Sequence, residues 1–233
     1  MLTRRRVALA LGLGLLACGQ VASAGSSRTS SLLDFVTFDG IDYIRWSDEP
    51  GRVLTRADLG IEFATVACSI GEDNRNCPYG TDAGAAFMPA GTRMYAVSGY
   101  PTEFRLAAVW QDHVFLYQAW RNPRAKVGSD LFAIAGKIAS IEVQRGEPTP
   151  DEPGRPVMIT ARPDVDALVD LVAHGTVRRP GPHTAAEPRD WVTFWLVDGT
   201  TLGRAYFPEA DELMGGLVVA PAFRAILERY LPD

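Results

Sequence analysis

The sequence predicts an α+β fold built mainly from antiparallel β-sheet, and three observations support this prediction. Two Asp-Gly pairs, at 39–40 and 198–199, each separate two runs rich in β-branched and aromatic residues, as a two-residue hairpin turn does. Short strand-like segments bounded by Gly, Pro, Asn or Asp fill most of the first 145 residues. Helical periodicity occurs only late in the chain, whereas a parallel α/β sheet would need long helices alternating with the strands.

Strands are predicted wherever apolar and β-branched residues run between two turn-forming positions. The predicted strands cover residues 33–38, 41–46, 61–70, 86–88, 93–97, 105–110, 114–120, 137–144, 191–197 and 200–207. Their close spacing favours an antiparallel sheet or a barrel over other β architectures. Both Asp-Gly turns are predicted to be of the type I′ class, in which both residues take positive φ.

Two helices are predicted in the last third of the chain, with a short helical turn at 56–59. The first is capped by Asp164 and ends near His174, since Gly175 follows it and apolar residues recur at helical spacing. The second begins at Pro221, because proline favours the first turn of a helix.

A proline-rich segment at 146–156 marks the clearest internal boundary. It holds four prolines and three acidic residues, and a second proline-containing stretch covers 179–189. We therefore expect a mainly β portion at 33–146, either an antiparallel sheet or barrel-like, and an α+β portion with two helices at 157–233. At this length, one domain with two long surface loops is equally compatible with the pattern.

Residues 1–24 have the pattern of an export signal. Arg4, Arg5 and Arg6 form a positive start, the apolar run 7–17 follows, and small residues close the segment. The apolar run has 11 residues, and nowhere does the chain contain the roughly 18 consecutive apolar residues of a membrane span. An ordinary N-terminal core helix fits less well, because Gly12 and Gly14 weaken a helix.

Two cleavage sites compete within this leader. Leu15-Leu16-Ala17-Cys18 resembles a lipobox, the pattern of bacterial lipoproteins, in which the cysteine is acylated and becomes the new N-terminus. The stretch A-S-A at 22–24 fits the ordinary signal peptidase instead. We favour acylation of Cys18, so that lipid chains bind the protein to the membrane. The stretch T-R-R-R-V at 3–7 also resembles a twin-arginine export motif, without its usual Phe and trailing Lys.

The charge balance excludes one class of partner. Loss of the three leader arginines takes the formal net charge from −5 to −8. Strong sequence-independent binding of nucleic acid needs a basic surface, so we expect no nucleic-acid partner. The same acidity would not by itself hold the protein on anionic lipid.

The two cysteines beyond the leader are predicted to form a disulfide. Cys68 and Cys77 are an even pair in an exported chain, and the eight residues between them are polar and turn-rich. A redox or metal pair is the alternative, but the spacing is far from C-x-x-C and no histidine lies close by in the sequence.

Three short motifs resemble a pattern found in uncharacterised bacterial lipoproteins. They are D-G-I-x-Y at 39–43, M-P-A-G-T at 88–92 and S-G-Y at 98–100. The lipoproteins carry N-G-I-x-Y, L-P-x-G-T and K-G-Y, so Asp39, Met88 and Ser98 depart from their pattern. The resemblance covers roughly residues 38–120. It implies a place in the cell envelope, and no activity comes with it.

Catalytic motifs of the common hydrolases do not occur. The segment A-C-S-I-G at 67–71 lacks the first glycine of a nucleophile elbow. His113 is expected in a turn, His174 at a helix end and His183 in a proline-rich loop, which are ordinary places for a histidine. No catalytic, cofactor-binding or metal-binding residue is therefore assigned, and no cofactor is implied.

Two further features of the sequence are weaker indications of a binding site. The acidic loop with Glu72, Asp73 and Asp82 offers oxygen ligands but does not match a calcium-binding loop, so a solvated loop is expected there. Five tryptophans could serve as a platform for a sugar or a peptide, with Trp191 and Trp195 on the same face of one strand. Tryptophans at the rim of the core are the ordinary alternative.

Two hypotheses on function follow. The first is an exported, lipid-anchored envelope protein whose folded part is a noncatalytic binding or structural module for a protein or glycan ligand. The second is a secreted hydrolase with a nonstandard acid–base site in the loops around Cys68 and Cys77. Cleavage after Ala24 would give a secreted or periplasmic form of either.

Overall fold

The computed structural model describes residues 33–45, 50–72, 75–146, 154–184 and 186–231. The predicted leader with Cys18 lies outside this range, as do Trp46 and Asp73. Within it the chain is mainly strand, with three α-helices, α1 (Gly128–Leu131), α2 (Arg162–His174) and α3 (Ala222–Glu228), and one 3-10 turn at Arg56–Asp58. The predicted class, α+β with mainly antiparallel sheet, is confirmed. None of the helices in this range is long and apolar enough to cross a membrane.

The strands divide into two groups. The first group is β1 (Asp34–Phe38), β2 (Ile41–Arg45), β3 (Leu59–Thr65), β4 (Cys68–Ser69), β5 (Gly84–Ala85), β6 (Arg93–Val97), β7 (Arg105–Trp110) and β8 (His113–Arg121). The second group is β9 (Ile138–Arg145), β10 (Val157–Ile159), β11 (Thr176–Val177), β12 (Asp190–Leu196), β13 (Thr201–Phe207), β14 (Glu212–Leu213) and β15 (Leu217–Val218).

The first sheet is curled into a half-barrel. Its strand order is β3-β6-β7-β8-β2-β1-β5-β4, so β3 and β4 lie at opposite edges although only two residues separate them in the chain. In a flat sheet those edges would stand roughly 34 Å apart, whereas the connection spans at most about 10 Å. The sheet therefore curls until its edges approach, and every pair is antiparallel except β4 with β5.

The second sheet has the order β10-β9-β12-β13-β14-β15-β11. Its long central strands β9, β12 and β13 pair over most of their length, and α2 packs on the apolar face of β9. The chain passes from the first sheet to the second between β8 and β9. β9 thus belongs to the second sheet although it precedes the proline-rich segment.

One apolar core joins both sheets to the helices. Buried members come from the first sheet (Val36, Leu106), the second sheet (Phe194), α2 (Leu168) and α3 (Phe223). The described residues consequently form one compact unit.

Both Asp-Gly segments form hairpins, but their turns differ. Asp39 and Gly40 have φ of 51° and 72°, the predicted type I′ geometry. At the second hairpin Gly199 has φ 82° and Asp198 does not take a positive φ. There Gly199 N–H donates to the Leu196 carbonyl, and the Leu196 N–H donates to the Thr200 carbonyl. This is a three-residue loop with a left-handed glycine, so the type I′ prediction is wrong for this turn.

Several predicted elements need correction. The strand expected at 86–88 is displaced to β5, because pairing stops as the chain enters the loop containing Pro89, which has no N–H to donate. The strand expected at 61–70 is split into β3 and β4, since the chain crosses there between the two sheet edges. Asp164 does not cap α2: Ala161 is the N-cap residue, and the Asp164 carboxylate accepts hydrogen bonds from Arg229 and Tyr230.

Two fully buried arginines connect the sheets in opposite directions. Arg105 on β7 donates from Nη1 to Thr200 Oγ1 at 2.7 Å and from Nη2 to the Thr201 carbonyl at 2.9 Å. Arg204 on β13 donates from Nη2 to the Ala119 carbonyl on β8 at 2.9 Å. A buried guanidinium is costly unless it is hydrogen-bonded, so these contacts fix how the two sheets meet.

Aromatic rings complete the surroundings of both guanidinium groups. Arg105 lies over the rings of Tyr100 and Phe104, at 4.5 and 4.9 Å from their centroids. Arg204 lies over Phe132 at 5.0 Å. Cation–π contacts of this kind strengthen when water is excluded.

We expect Arg105→Ala to lower the free energy of unfolding by about 3 kcal/mol or more, because it removes the buried donors to Thr200 Oγ1 and the Thr201 carbonyl and opens a cavity. Urea unfolding followed by tryptophan fluorescence measures this. Arg93→Ala is the matched control, since Arg93 is two-thirds exposed and its pair with Glu62 is on the surface. Equal midpoints for the two variants would contradict the role given to Arg105.

Candidate functional site

The predicted disulfide is present. Cys68 on β4 is bonded to Cys77, with 5.7 Å between the two Cα atoms, and Cys77 is buried. Beyond it Tyr79 packs edge-on against Phe35, with ring centroids 4.9 Å apart. The bridge therefore attaches the base of this loop to the edge of the half-barrel.

A buried carboxylate anchors the loop from the other side. Asp42 on β2 accepts a hydrogen bond from Thr37 at 2.9 Å, one from Tyr79 at 3.4 Å and one from Arg121 at 2.9 Å. Both carboxylate oxygens are satisfied, and the side chain is 2% exposed. Its position and partners are those of a structural group.

Glu72 of the acidic loop also has a structural role. Glu72 accepts a hydrogen bond from the Ala90 N–H at 3.1 Å, which ties this loop to the turn before β6. Across the described part of the chain, no group of three or more His, Cys, Asp and Glu side chains is arranged to hold a metal ion.

The densest group of titratable side chains surrounds His183, which the sequence had placed in an ordinary loop. His183 Nδ1 lies 3.0 Å from Glu187 Oε2, and Nε2 lies 3.1 Å from Glu212 Oε1. The imidazole stacks on Phe207, with centroids 3.6 Å apart and planes within 1°. Arg178 donates to the other oxygen of Glu212 at 3.3 Å. We call these five residues the histidine cluster.

The chemistry of the histidine cluster follows from its hydrogen bonds. Each ring nitrogen of His183 lies within hydrogen-bond distance of a carboxylate oxygen, so both nitrogens are engaged inside the cluster. Glu212 is fully buried on β14 and needs hydrogen-bond donors. With both ring nitrogens engaged, His183 has no free nitrogen to take a proton from a substrate.

An open cleft of about 400 Å³ lies beside the histidine cluster, lined by Arg145, Glu187, Pro188, Arg189, Asp190 and Pro208, with Gly146. Asp190 is 5% exposed, and Arg145 Nη1 lies 3.5 Å from its Oδ2. Burial raises the pKa of Asp190 although Arg145 opposes that effect. A carboxyl group with a raised pKa at a cleft is the kind of group that acts as a general acid.

The histidine cluster has no signature in the sequence, because its members come from separate segments. Glu187 lies four residues after His183, but in a loop that spacing carries no structural meaning. Glu212 is 29 residues further along, on another strand. Only the pairing of β13 with β14 brings it to the imidazole.

The hairpin of β7 and β8 forms a second candidate surface. Its turn, Gln111-Asp112, has φ of 47° and 63°, a two-residue turn made without glycine. Such conformations cost an L-residue about 1 kcal/mol or more each, so this turn presents two polar side chains at the expense of stability. The Asp39-Gly40 and Asp198-Gly199 hairpins reduce this cost by placing glycine at a positive φ.

Aromatic side chains gather at the base of that turn. Phe115 lies beside Trp110 and His113, with ring centroids 6.5 and 6.0 Å away, and the Arg45 guanidinium lies 4.8 Å above the Phe115 ring. Val53 lies next to Phe115 and is 75% exposed. We call the turn 111–112 together with Arg45, Val53, Trp110 and Phe115 the hairpin end.

Two open grooves flank the hairpin end. One, of about 480 Å³, is lined by the turn before β6 and by Arg56, Arg93, Tyr95 and Trp110. The other, of about 240 Å³, lies between β8 and the segment 50–54. Both are surface grooves. The first has a volume within the usual range of small-molecule sites, and the second is below that range.

The tryptophans expected to form a platform differ in their exposure to solvent. Trp191 and Trp195 share one face of β12, as predicted, but both are partly buried. A Cβ atom at Gly203 would come within 3.0 Å of the Trp191 ring, so this glycine lets the ring lie against β13. Trp120 is also partly buried, whereas Trp110 is 37% exposed on the hairpin end.

The remaining histidines lie at the surface. His113 Nδ1 is 2.8 Å from the Gln111 carbonyl within the hairpin turn, and His174 Nδ1 is 3.0 Å from the Asp170 carbonyl at the end of α2. These are the turn and helix-end positions that the sequence predicted.

Searches of protein-family models, of curated proteins and of solved structures find no match to this chain. The resemblance to uncharacterised lipoproteins therefore stays a prediction.

We expect reduction of the disulfide to lower the free energy of unfolding by about 2–3 kcal/mol, because the bridge closes a loop of about ten residues. Thermal unfolding with and without dithiothreitol measures the change. The double variant Cys68→Ser, Cys77→Ser should melt at the lower temperature in both conditions. A wild-type protein that melts equally with and without reductant would contradict this expectation.

We expect Glu212→Gln to lower the free energy of unfolding by about 1–3 kcal/mol, since His183 and Arg178 lose a charged acceptor. Chemical denaturation at neutral pH measures the loss. Glu209→Gln, an exposed glutamate three residues earlier, is the matched control. If the two variants are equally stable, the histidine cluster does not depend on the Glu212 charge.

Proposed function

We propose that this chain is an exported cell-envelope protein, held to the membrane by lipid on Cys18, whose folded part is a noncatalytic binding or structural module. The disulfide between Cys68 and Cys77 carries the proposal, because such bonds persist in oxidising compartments outside the cytosol. It agrees with the leader at 1–24, which has the pattern of an export signal.

In this proposal, lipid on Cys18 attaches the chain to the membrane. The cysteine ends the apolar run of the leader, and the mature body is acidic, so charge alone gives it no hold on anionic membranes. Cleavage after Ala24 is the alternative and gives a secreted or periplasmic protein with the same folded part.

A noncatalytic role is supported by how the polar groups are used. The His183 ring is held by carboxylates at both nitrogens, and both oxygens of Asp42 accept hydrogen bonds from neighbouring side chains. The grooves beside the hairpin end are shallow and open, as suits contact with a larger partner. A protein or a glycan is the class of ligand that we propose.

Asp190 favours the second hypothesis, a secreted hydrolase. Its raised pKa and its place at an open cleft, with Glu187 on the same wall, are features of a general acid. In this version the acid–base site lies beside the histidine cluster, and the loops around Cys68 and Cys77 have a structural role.

We expect cells fed labelled palmitate to incorporate the label into the wild-type chain and not into Cys18→Ala. Acylation of the wild-type cysteine gives a mature N-terminus at residue 18, and the intact mass of the membrane-extracted protein checks this. Cys68→Ser, Cys77→Ser is the control, because loss of the other cysteines leaves the label in place.

Equal labelling of the wild type and Cys18→Ala would refute the lipid anchor. Recovery of the whole chain from the cell interior, with Met1 intact, would refute export as well.

A further inference from the structure

The folded part has a defined end at which the anchored segment enters. Asp34 begins β1, and its carboxylate accepts hydrogen bonds from Arg45 at 2.6 Å and from Tyr117 at 2.8 Å. These two contacts hold the start of β1 against β2 and β8. Fifteen residues separate Cys18 from Asp34, and a chain of that length spans at most about 55 Å.

The hairpin end lies at the same end of the first sheet as Asp34, and it extends further from the sheet than Asp34 does. β1 and β8 are both antiparallel to β2, so they run in the same direction and begin at the same end. Arg45 stands opposite Asp34 and next to Tyr117, four residues after the start of β8 at His113. At the rise of a β-strand, the hairpin extends roughly 13 Å beyond the level of Asp34.

The hairpin end is also apolar and locally neutral. Val53 and Trp110 are 75% and 37% exposed there. Four arginines lie around it, and each has an acidic partner: Arg45 with Asp34, Arg52 with Asp58, Arg56 with Asp112 and Arg93 with Glu62. The last two pairs are exposed, so they are weak, and their arginines can exchange a carboxylate for a phosphate.

This neutrality has a consequence for orientation. The mature chain carries a formal net charge of −8, and anionic headgroups repel such a body. Around the hairpin end the arginines and acids balance, and the Trp110 ring is exposed there. Tryptophan is enriched at the level of lipid headgroups because its ring is apolar and its N–H is polar.

We propose that the hairpin end rests on the surface of the membrane to which the chain is anchored, with Trp110 at the headgroup level. The proposal depends on the lipid anchor proposed above. The anchor keeps the folded part within about one domain diameter of the bilayer, and this high local concentration lets a weak contact form. The side chains that the turn Gln111-Asp112 brings to the membrane surface are polar.

Hydrogen–deuterium exchange of the full-length acylated chain tests this proposal. The protein is reconstituted into vesicles of phosphatidylcholine and phosphatidylglycerol and compared with Cys18→Ala mixed with the same vesicles. We expect amides of the turn 111–112 to exchange at least about threefold more slowly in the anchored protein. The turn Asp39-Gly40, at the opposite end of the β1–β2 hairpin, is the internal control and should not change.

A pair of variants tests the aromatic contact. Trp110→Ser should remove the protection of turn 111–112, whereas Val197→Ser should keep it. Val197 is an apolar residue that is 69% exposed beside the other long hairpin, so it controls for the loss of exposed apolar surface. Slow amide exchange within β7 and β8, as in the wild type, shows that each variant is folded.

The outcomes separate the contact from the anchor. An acylated protein that floats with the vesicles, yet exchanges at turn 111–112 as fast as Cys18→Ala, overturns the membrane contact and leaves the anchor intact. Equal protection of both turns, or full protection in Trp110→Ser, also overturns it. A chain that carries no lipid and does not float overturns both proposals.

Discussion

The contact between the two sheets depends on the guanidinium of Arg105. Its Nη1 and Nη2 donate to Thr200 Oγ1 and to the Thr201 carbonyl, while Arg204 reaches back from β13 to the Ala119 carbonyl on β8. A buried charged group needs acceptors for its donors, and here a hydroxyl and backbone carbonyls supply them, with the Asp198 carboxylate 4.0 Å from Arg105 Nη1. These contacts therefore stabilise one particular packing of the two sheets.

The curl of the first sheet follows from a short connection and determines what the surface presents. Two residues join strands at opposite edges, so the sheet closes on itself and places the loop of Cys68 and Cys77 beside β1. The disulfide then stabilises a short part of the half-barrel, the two-residue edge strand β4 and its two-residue neighbour β5. The same curl leaves the long β7–β8 hairpin projecting from one end, with the start of β1 beside it.

In the function proposed above, the leader and the folded part have separate tasks. The leader would direct export and lipid attachment, for which a short sequence pattern is sufficient. The folded part supplies two different surfaces, the cleft next to the histidine cluster and the hairpin end, on opposite sheets. A module held near a membrane can use both, one toward the lipid and one toward a ligand, because the anchor determines which surface faces outward.

The sequence by itself determined the class of fold, most strands, both long helical segments and the disulfide, because these depend on local signals. Alternation, turn residues and the pairing of two close cysteines act over about ten residues or fewer. Two local signals were overridden by tertiary contacts. The strand expected at 61–70 breaks to cross the curled sheet, and Asp164 accepts hydrogen bonds from Arg229 and Tyr230, just after α3, instead of capping α2. The burial of Arg105 and Arg204, the meeting of His183 with Glu212 and the approach of Phe115 to Arg45 were decided only by the packed structure. Each joins residues that lie tens of positions apart, and only strand pairing and sheet packing bring such residues within the few ångströms over which hydrogen bonds and ring contacts act.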